Sequence, residues 1–216
     1  MSLKTSNLPF KVRVDHEVHN TIMRKAVVKA QETIGANRQK MVDELGHWEE
    51  WRDLSKQIRN HVLANLDAYL YQLSEKVIEN GGKVYFAETA EEASAYIRKV
   101  ALEKNAKKIV KSKSMVTEEI GLNEVLEKEG MQVIETDLGE YLLQISGDKP
   151  SHIVVPAIHK DRHQIRKDLS EKLGYEGEET PEDMTRFVRE KIRQDFLEAD
   201  IGISGCNFAV AETGSV

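Results

Sequence analysis

The chain has 216 residues, long enough for one large domain, or for one domain with a helical appendage, and for a core that needs no disulfide staples. Charged residues at 31% against 40% hydrophobic ones describe a helix-rich globular protein, and a net charge of −6 argues against broad nucleic-acid binding, which depends on clustered Lys and Arg. No stretch reaches the ~18 apolar residues of a membrane span, the amino terminus lacks an apolar signal core, and the single cysteine, Cys206, excludes an internal disulfide, so the sequence predicts a cytoplasmic protein.

From Asp15 to Leu45, Val18, Ile22, Ala26, Ala30 and Ile34 recur every four residues, which predicts an amphipathic helix loosened near Gly35. A second helix is predicted from about Trp48 to Asn80, with Trp51, Leu54, Ile58, Val62, Leu66, Leu70, Leu73 and Val77 as its buried stripe and Gly81-Gly82 as its stop. Residues 1–82 therefore read as an amino-terminal long-helix arm or cap. Its Trp, Tyr and Met side chains read as core or interface, and His16, His19 and His47 lack the spacing of metal ligands.

After Gly82 the pattern changes. Strands are expected at 83–87 (KVYFA), 107–111, 131–135 (MQVIE) and 152–155 (HIVV), with Cys206 as a small buried hydrophobe near a further strand-like stretch at 201–216. Helices are expected from the capping box Thr89-Ala90-Glu91-Glu92 to Lys104, from Thr117 to Glu129, as a short helical turn at 137–145, from Asp161 to Leu173, and from Thr180-Pro181 to about Ala199. Strands alternating with helices imply right-handed βαβ units, so the fold class is α/β with a mostly parallel sheet over 83–216. The last stretch stops while still apolar and strand-like, which predicts that the domain is truncated at its carboxyl end.

In such sheets ligands gather at the carboxyl ends of the strands, where loop amides and helix starts converge. The loop Lys111-Ser112-Lys113-Ser114 stands there and reads either as an anion holder or as a solvated lysine-tipped turn. Asp137, Glu140 and Tyr141 follow the next strand, and Asp137 is either an acid–base group or a helix cap. His159 follows the HIVV segment and stands four residues from His163; two imidazoles without a third ligand make a weak metal site, so no metal is assigned. Glu212 lies in an apolar, small-residue segment, where a buried acid is either paired or functional. No dinucleotide fingerprint, Walker loop or nucleophile elbow is present.

Four segments together, 108–130 (KIVKSKSMVTEEIGLNEVLEKEG), 133–145 (VIETDLGEYLLQI), 151–165 (SHIVVPAIHKDRHQI) and 202–216 (GISGCNFAVAETGSV), resemble the lactate utilization (LUD) domain family, and the helical arm fits that family's amino-terminal region. The resemblance implies a sheet of the sugar-phosphate isomerase and coenzyme A transferase type. It matches Lys111, Ser112, Lys113, Ser114, Glu118, Glu135, Asp137, Gly139, Glu140, His159, Glu212, Thr213 and Gly214. Of these, Asp137, His159 and Glu212 are candidate catalytic residues. Lys111, Ser112, Lys113, Ser114, Glu140, Thr213 and Gly214 are candidate ligand contacts.

The resemblance further implies an iron–sulfur, electron-transfer subunit of a bacterial complex that oxidises L-lactate to pyruvate, with sibling subunits and a small anionic ligand as partners. The 4Fe–4S clusters are expected in the full-length protein and no cofactor in these residues. Two alternatives stand beside it: a transferase- or cyclo-ligase-like enzyme acting on a phosphorylated or thioester substrate, and a structural domain whose long helices dock sibling subunits.

Overall fold

The computed structural model describes residues 7–216. The arm comprises α1 (Phe10–His19), α2 (Thr21–Leu45), α3 (Trp48–Ala64) and α4 (Leu66–Glu79). The amino-terminal periodicity does yield helix, but the break falls at Asn20 rather than Gly35, which lies inside an unbroken α2. The Asn20 carboxamide accepts the Met23 N–H at 3.1 Å, capping α2 and ending α1. The second long helix is likewise interrupted, at Asn65, whose φ of −128° leaves the helical region while its side-chain amide donates to the His61 carbonyl at 2.9 Å. In both places a short polar side chain offers the backbone a local partner in place of the next helical bond.

The stripe expected to be buried on α3 and α4 is not: none of the four arm helices contains a buried residue, and Trp51 and Ile58 remain 49% and 56% exposed. Periodicity makes the helix amphipathic; covering its stripe takes a partner surface. By Cα packing the chain forms two compact units. One gathers the chain up to Ala30 with Ala87–Gly205, and the other gathers Gln31–Phe86 with Cys206–Val216.

The first unit holds an all-parallel sheet in the order β2-β1-β3, built from β1 (Lys108–Lys111), β2 (Gln132–Glu135) and β3 (Ile201–Ile203). Successive strand residues point to opposite faces, and each face is covered. Ile109 and Val133 pack with Ala101 of α5 (Ala90–Glu103) and with Leu122 and Leu126 of α7 (Leu122–Glu127). Val110 and Ile134 pack with Leu142 of α8 (Leu138–Ser146), Leu169 of α9 (Arg162–Leu173) and Met184 and Val188 of α10 (Pro181–Glu198). Burying each Val, Ile, Leu or Met side chain among these contributes roughly 1.5–3 kcal/mol.

The helix starts follow their caps. Thr89 accepts the Glu92 N–H at 3.2 Å, Asp161 and Gln164 form a reciprocal capping box, and Thr180 precedes Pro181 at the start of α10. The helix expected over 117–129 is instead two: α6 (Met115–Glu119), capped by Ser114, and α7, separated by Gly121 at φ +63°.

Two expected strands are absent. Residues 83–87 form no ladder, and Tyr85 and Phe86 stay exposed, because strand-forming residues still need an edge to pair with. The HIVV segment is a turn: the His152 ring nitrogen Nδ1 accepts the N–H groups of Val154 and Val155 at 3.1 and 3.0 Å, occupying the donors a ladder would use. Of the carboxyl-terminal stretch only Ile201–Ile203 is strand, and Cys206 is exposed rather than buried. Among the described residues no helix is long and apolar enough to cross a membrane.

Candidate functional site

The three parallel strands end together at Lys111, Glu135 and Ile203. The segments leaving them are tied side by side: Ser112 N–H donates to Ile203 O at 2.9 Å, and Thr136 donates to Lys111 O through its N–H (2.9 Å) and its hydroxyl (3.1 Å). Gly205 lies against Ser114 so closely that an added Cβ would come within 2.9 Å of Ser114 Oγ. The carboxyl ends of the strands, the rim of the sheet, are therefore lined by 112–114, 136–140 and 204–205.

Below the rim lies a buried ionic cluster. Lys111 is a register partner of Glu135 on the face covered by α6 and α7, and it is 0% exposed. Its Nζ lies 2.9 Å from Glu135 Oε1 and 3.0 Å from Glu118 Oε1, and it donates to Thr117 Oγ1 at 3.2 Å. Asn123 also donates to Glu135 Oε1, at 2.7 Å, while Glu135 Oε2 and Asn123 Oδ1 are buried without a hydrogen-bond partner. The Lys111 ammonium thus faces the interior. Ser114 serves α6 as its cap, accepting the Thr117 N–H at 3.3 Å.

On the rim itself stand Lys113, Asp137 and Glu140. Lys113 Nζ donates to Glu140 Oε1, and Asp137 Oδ1 accepts the N–H of Gly139 at 2.9 Å and of Glu140 at 3.4 Å as the cap of α8. Burial, followed by the neighbouring Asp137 carboxylate, which would accept a proton held on Glu140, raises the Glu140 pKa to about 7. Glu140 in its turn, together with the backbone amides, lowers Asp137. A proton held on Glu140 up to about neutral pH therefore stands between the Asp137 carboxylate and the Lys113 ammonium. Such an arrangement can bind a small anion through Lys113 and donate or accept a proton at Glu140, whose Oε2 is buried and unpartnered.

Of the remaining sequence candidates, Ser112 is exposed on the rim. His159 sits in the turn segment that reaches α8 through Pro156, whose Cγ would lie 2.9 Å from a Cβ added at Gly139. Its Nδ1 is 2.8 Å from Ser151 Oγ, and burial lowers its pKa. His163 turns instead to Glu179, at 3.1 Å. Glu212, Thr213 and Gly214 belong to the other unit, where the Asn80 side chain donates to Thr213 O at 2.9 Å; Glu212 is exposed there rather than buried. Sequence reasoning assigned no cluster role to Glu118, Glu135 or Asn123. A charge ending each of two adjacent apolar strands, Lys111 and Glu135, was the readable signal.

A 4Fe–4S cluster takes four thiolates. Cys206 supplies one, on an exposed loop, so these residues do not fit a cluster.

The LUD domain pattern matches residues 70–216. The chain is 72% identical over all 216 residues to an Escherichia coli (strain K12) protein described as the uncharacterized electron transport protein YkgF, covering 46% of it. It is 60% identical over 217 aligned residues to lactate utilization protein B of Bacillus subtilis (strain 168), covering 45% of it. With the Bacillus cytotoxicus protein of that name it shares 57% identity and covers 46%. The chain spans about half the length of the curated relatives it matches. No solved structure matches it.

Proposed function

This chain belongs to the LUD domain family, and from that premise we propose that it is the LUD-domain part of a protein of lactate utilisation that passes electrons during oxidation of L-lactate to pyruvate. The observation that carries this reading is identity of 57–60% along the whole chain to proteins named for lactate utilisation. The electron-transport name of the Escherichia coli relative supports the second half. The oxidation releases two electrons and two protons per lactate. The iron–sulfur clusters that would accept the electrons, and the sibling subunits that would deliver them, lie outside these residues.

Within that reading the rim of Lys113, Asp137 and Glu140 is the ligand-facing surface, suited to a small carboxylate. The ammonium of Lys113 offsets the ligand's charge, and protonated Glu140 donates to it.

Deleting the gene should abolish growth of its host on L-lactate while leaving growth on glucose intact, and reintroducing the gene should restore it; undiminished growth on L-lactate refutes the reading. Calorimetric titration of the 216-residue chain with lactate and pyruvate tests the rim separately. Heat that disappears in Lys113→Ala supports a ligand site, and no heat with either anion refutes it.

A further inference from the structure

The unit formed by Gln31–Phe86 and Cys206–Val216 contains no buried residue. Its helices nevertheless carry an apolar stripe, with Ile58, Leu66 and Leu70 exposed by 56%, 42% and 37%. Folded helices of this length draw most of their stability from a covered apolar face rather than from propensity. An uncovered face of this extent marks an interaction surface.

Beside the stripe, α3 bears a groove of about 440 Å³ lined by Trp48, Trp51, Arg52, Lys56, Arg59 and Leu63 among others. The three cations give it a sign. Arg52 turns to Glu49 at 2.8 Å, while Lys56 and Arg59 have no ion pair among the described residues.

We propose that this face of α3 and α4 is the docking surface for the portion of polypeptide that the relatives carry and these 216 residues do not. The proposal rests on the reading above that this chain is the LUD-domain part of such a longer protein. Two observations favour that occupant. The relatives match this chain over its whole length and are about twice as long, so a segment of comparable size is available.

The last residues, Cys206–Val216, belong to the same unit as the stripe. The Asn80 side chain binds the Thr213 carbonyl at 2.9 Å, and a Cβ at Gly214 would lie 2.8 Å from the Lys76 carbonyl carbon, so only glycine packs there. A chain continuing past Val216 leaves from the end of α4, at an effective concentration in the ~mM range for a short linker. The occupant's chemistry follows from the groove: an apolar face bordered by carboxylates that meet Lys56 and Arg59.

Amide hydrogen exchange on two proteins tests this: the 216-residue chain, and the chain extended through its own reading frame to the relatives' length. In the extended protein, peptides of α3 and α4 should exchange on the order of 100-fold more slowly than in the shorter chain. Ile58→Glu should reverse that protection while β1 stays protected. Because Ile58 is exposed in the shorter chain, the same substitution there should leave helix content unchanged, which separates lost docking from misfolding.

Equal exchange in the two proteins overturns the proposal, as does a reading frame with no such segment. Protection of the shorter chain that grows with its concentration, alongside a dimer mass, assigns the face to a second copy and overturns it too. Failure of the lactate growth test with α3–α4 protection intact would refute the metabolic reading alone.

Discussion

Replacing Lys111 by Met removes the ammonium from the cluster beneath the rim while keeping the length of the side chain. Glu135, 4% exposed, then retains only the Asn123 bond at Oε1, with Oε2 already unpartnered. Glu118, whose side chain is 22% exposed, can turn to water, so the cost falls mainly on Glu135. Stranding one member of a buried ion pair costs about 3–5 kcal/mol, or a Tm drop of ~6–20 °C for a chain of this size. Urea unfolding followed by circular dichroism reads the loss, and hydrogen exchange of β1 and β2 peptides localises it to the sheet. The double substitution Lys111→Met with Glu135→Leu should regain at least about half, since no buried charge is then left unpaired. A single substitution costing under ~1 kcal/mol, or a double one no better than the single, would refute the view that Lys111 is held inside by Glu135.

Glu140 gives a pH signature. Its folded pKa of about 7 lies above the ordinary 4.5, so the folded state holds this proton more tightly; the stabilisation is complete below pH 4.5 and is lost as pH rises through about 7. Glu140→Gln should flatten stability against pH in that window, where one proton accounts for at most ~1.4 kcal/mol per pH unit; an unchanged slope counts against the raised value. Asp137→Ala should destabilise by about 0.5–2 kcal/mol through loss of the α8 cap, with Asp137→Asn close to wild type in thermal melts. If Asn abolishes ligand binding without loss of stability, Asp137 serves the ligand as a charge in addition to capping α8. Tyr175 is buried with its hydroxyl 2.5 Å from Asp183 Oδ2 and 2.6 Å from Glu178 O, and burial pushes its pKa up to about 12. Tyr175→Phe should lower the urea midpoint, and the wild-type phenol should ionise at a higher pH than free tyrosine in ultraviolet titration.

What the sequence determined by itself was local. Apolar spacing and the caps at Thr89, Asp161 and Thr180 set the helices, because a helix satisfies its own hydrogen bonds within a few residues. The β1 and β2 runs were legible for a related reason: short apolar segments between helices imply parallel strands buried on both faces. The breaks at Asn20 and Asn65 were also local, but the apolar stripe runs unbroken past both and hid them.

Tertiary structure decided everything that needed a distant partner. KVYFA and HIVV carry strand-forming residues, yet neither joins the sheet among the described residues. The register that sets Lys111 beside Glu135 turned a supposed loop lysine into a buried ion, and folding alone brought Glu140 under enough cover to hold its proton near neutral pH. Glu212, expected to be buried, is exposed. The arm's stripe shows the same division of labour, since sequence makes a helix face apolar but only a surface arriving from elsewhere can bury it.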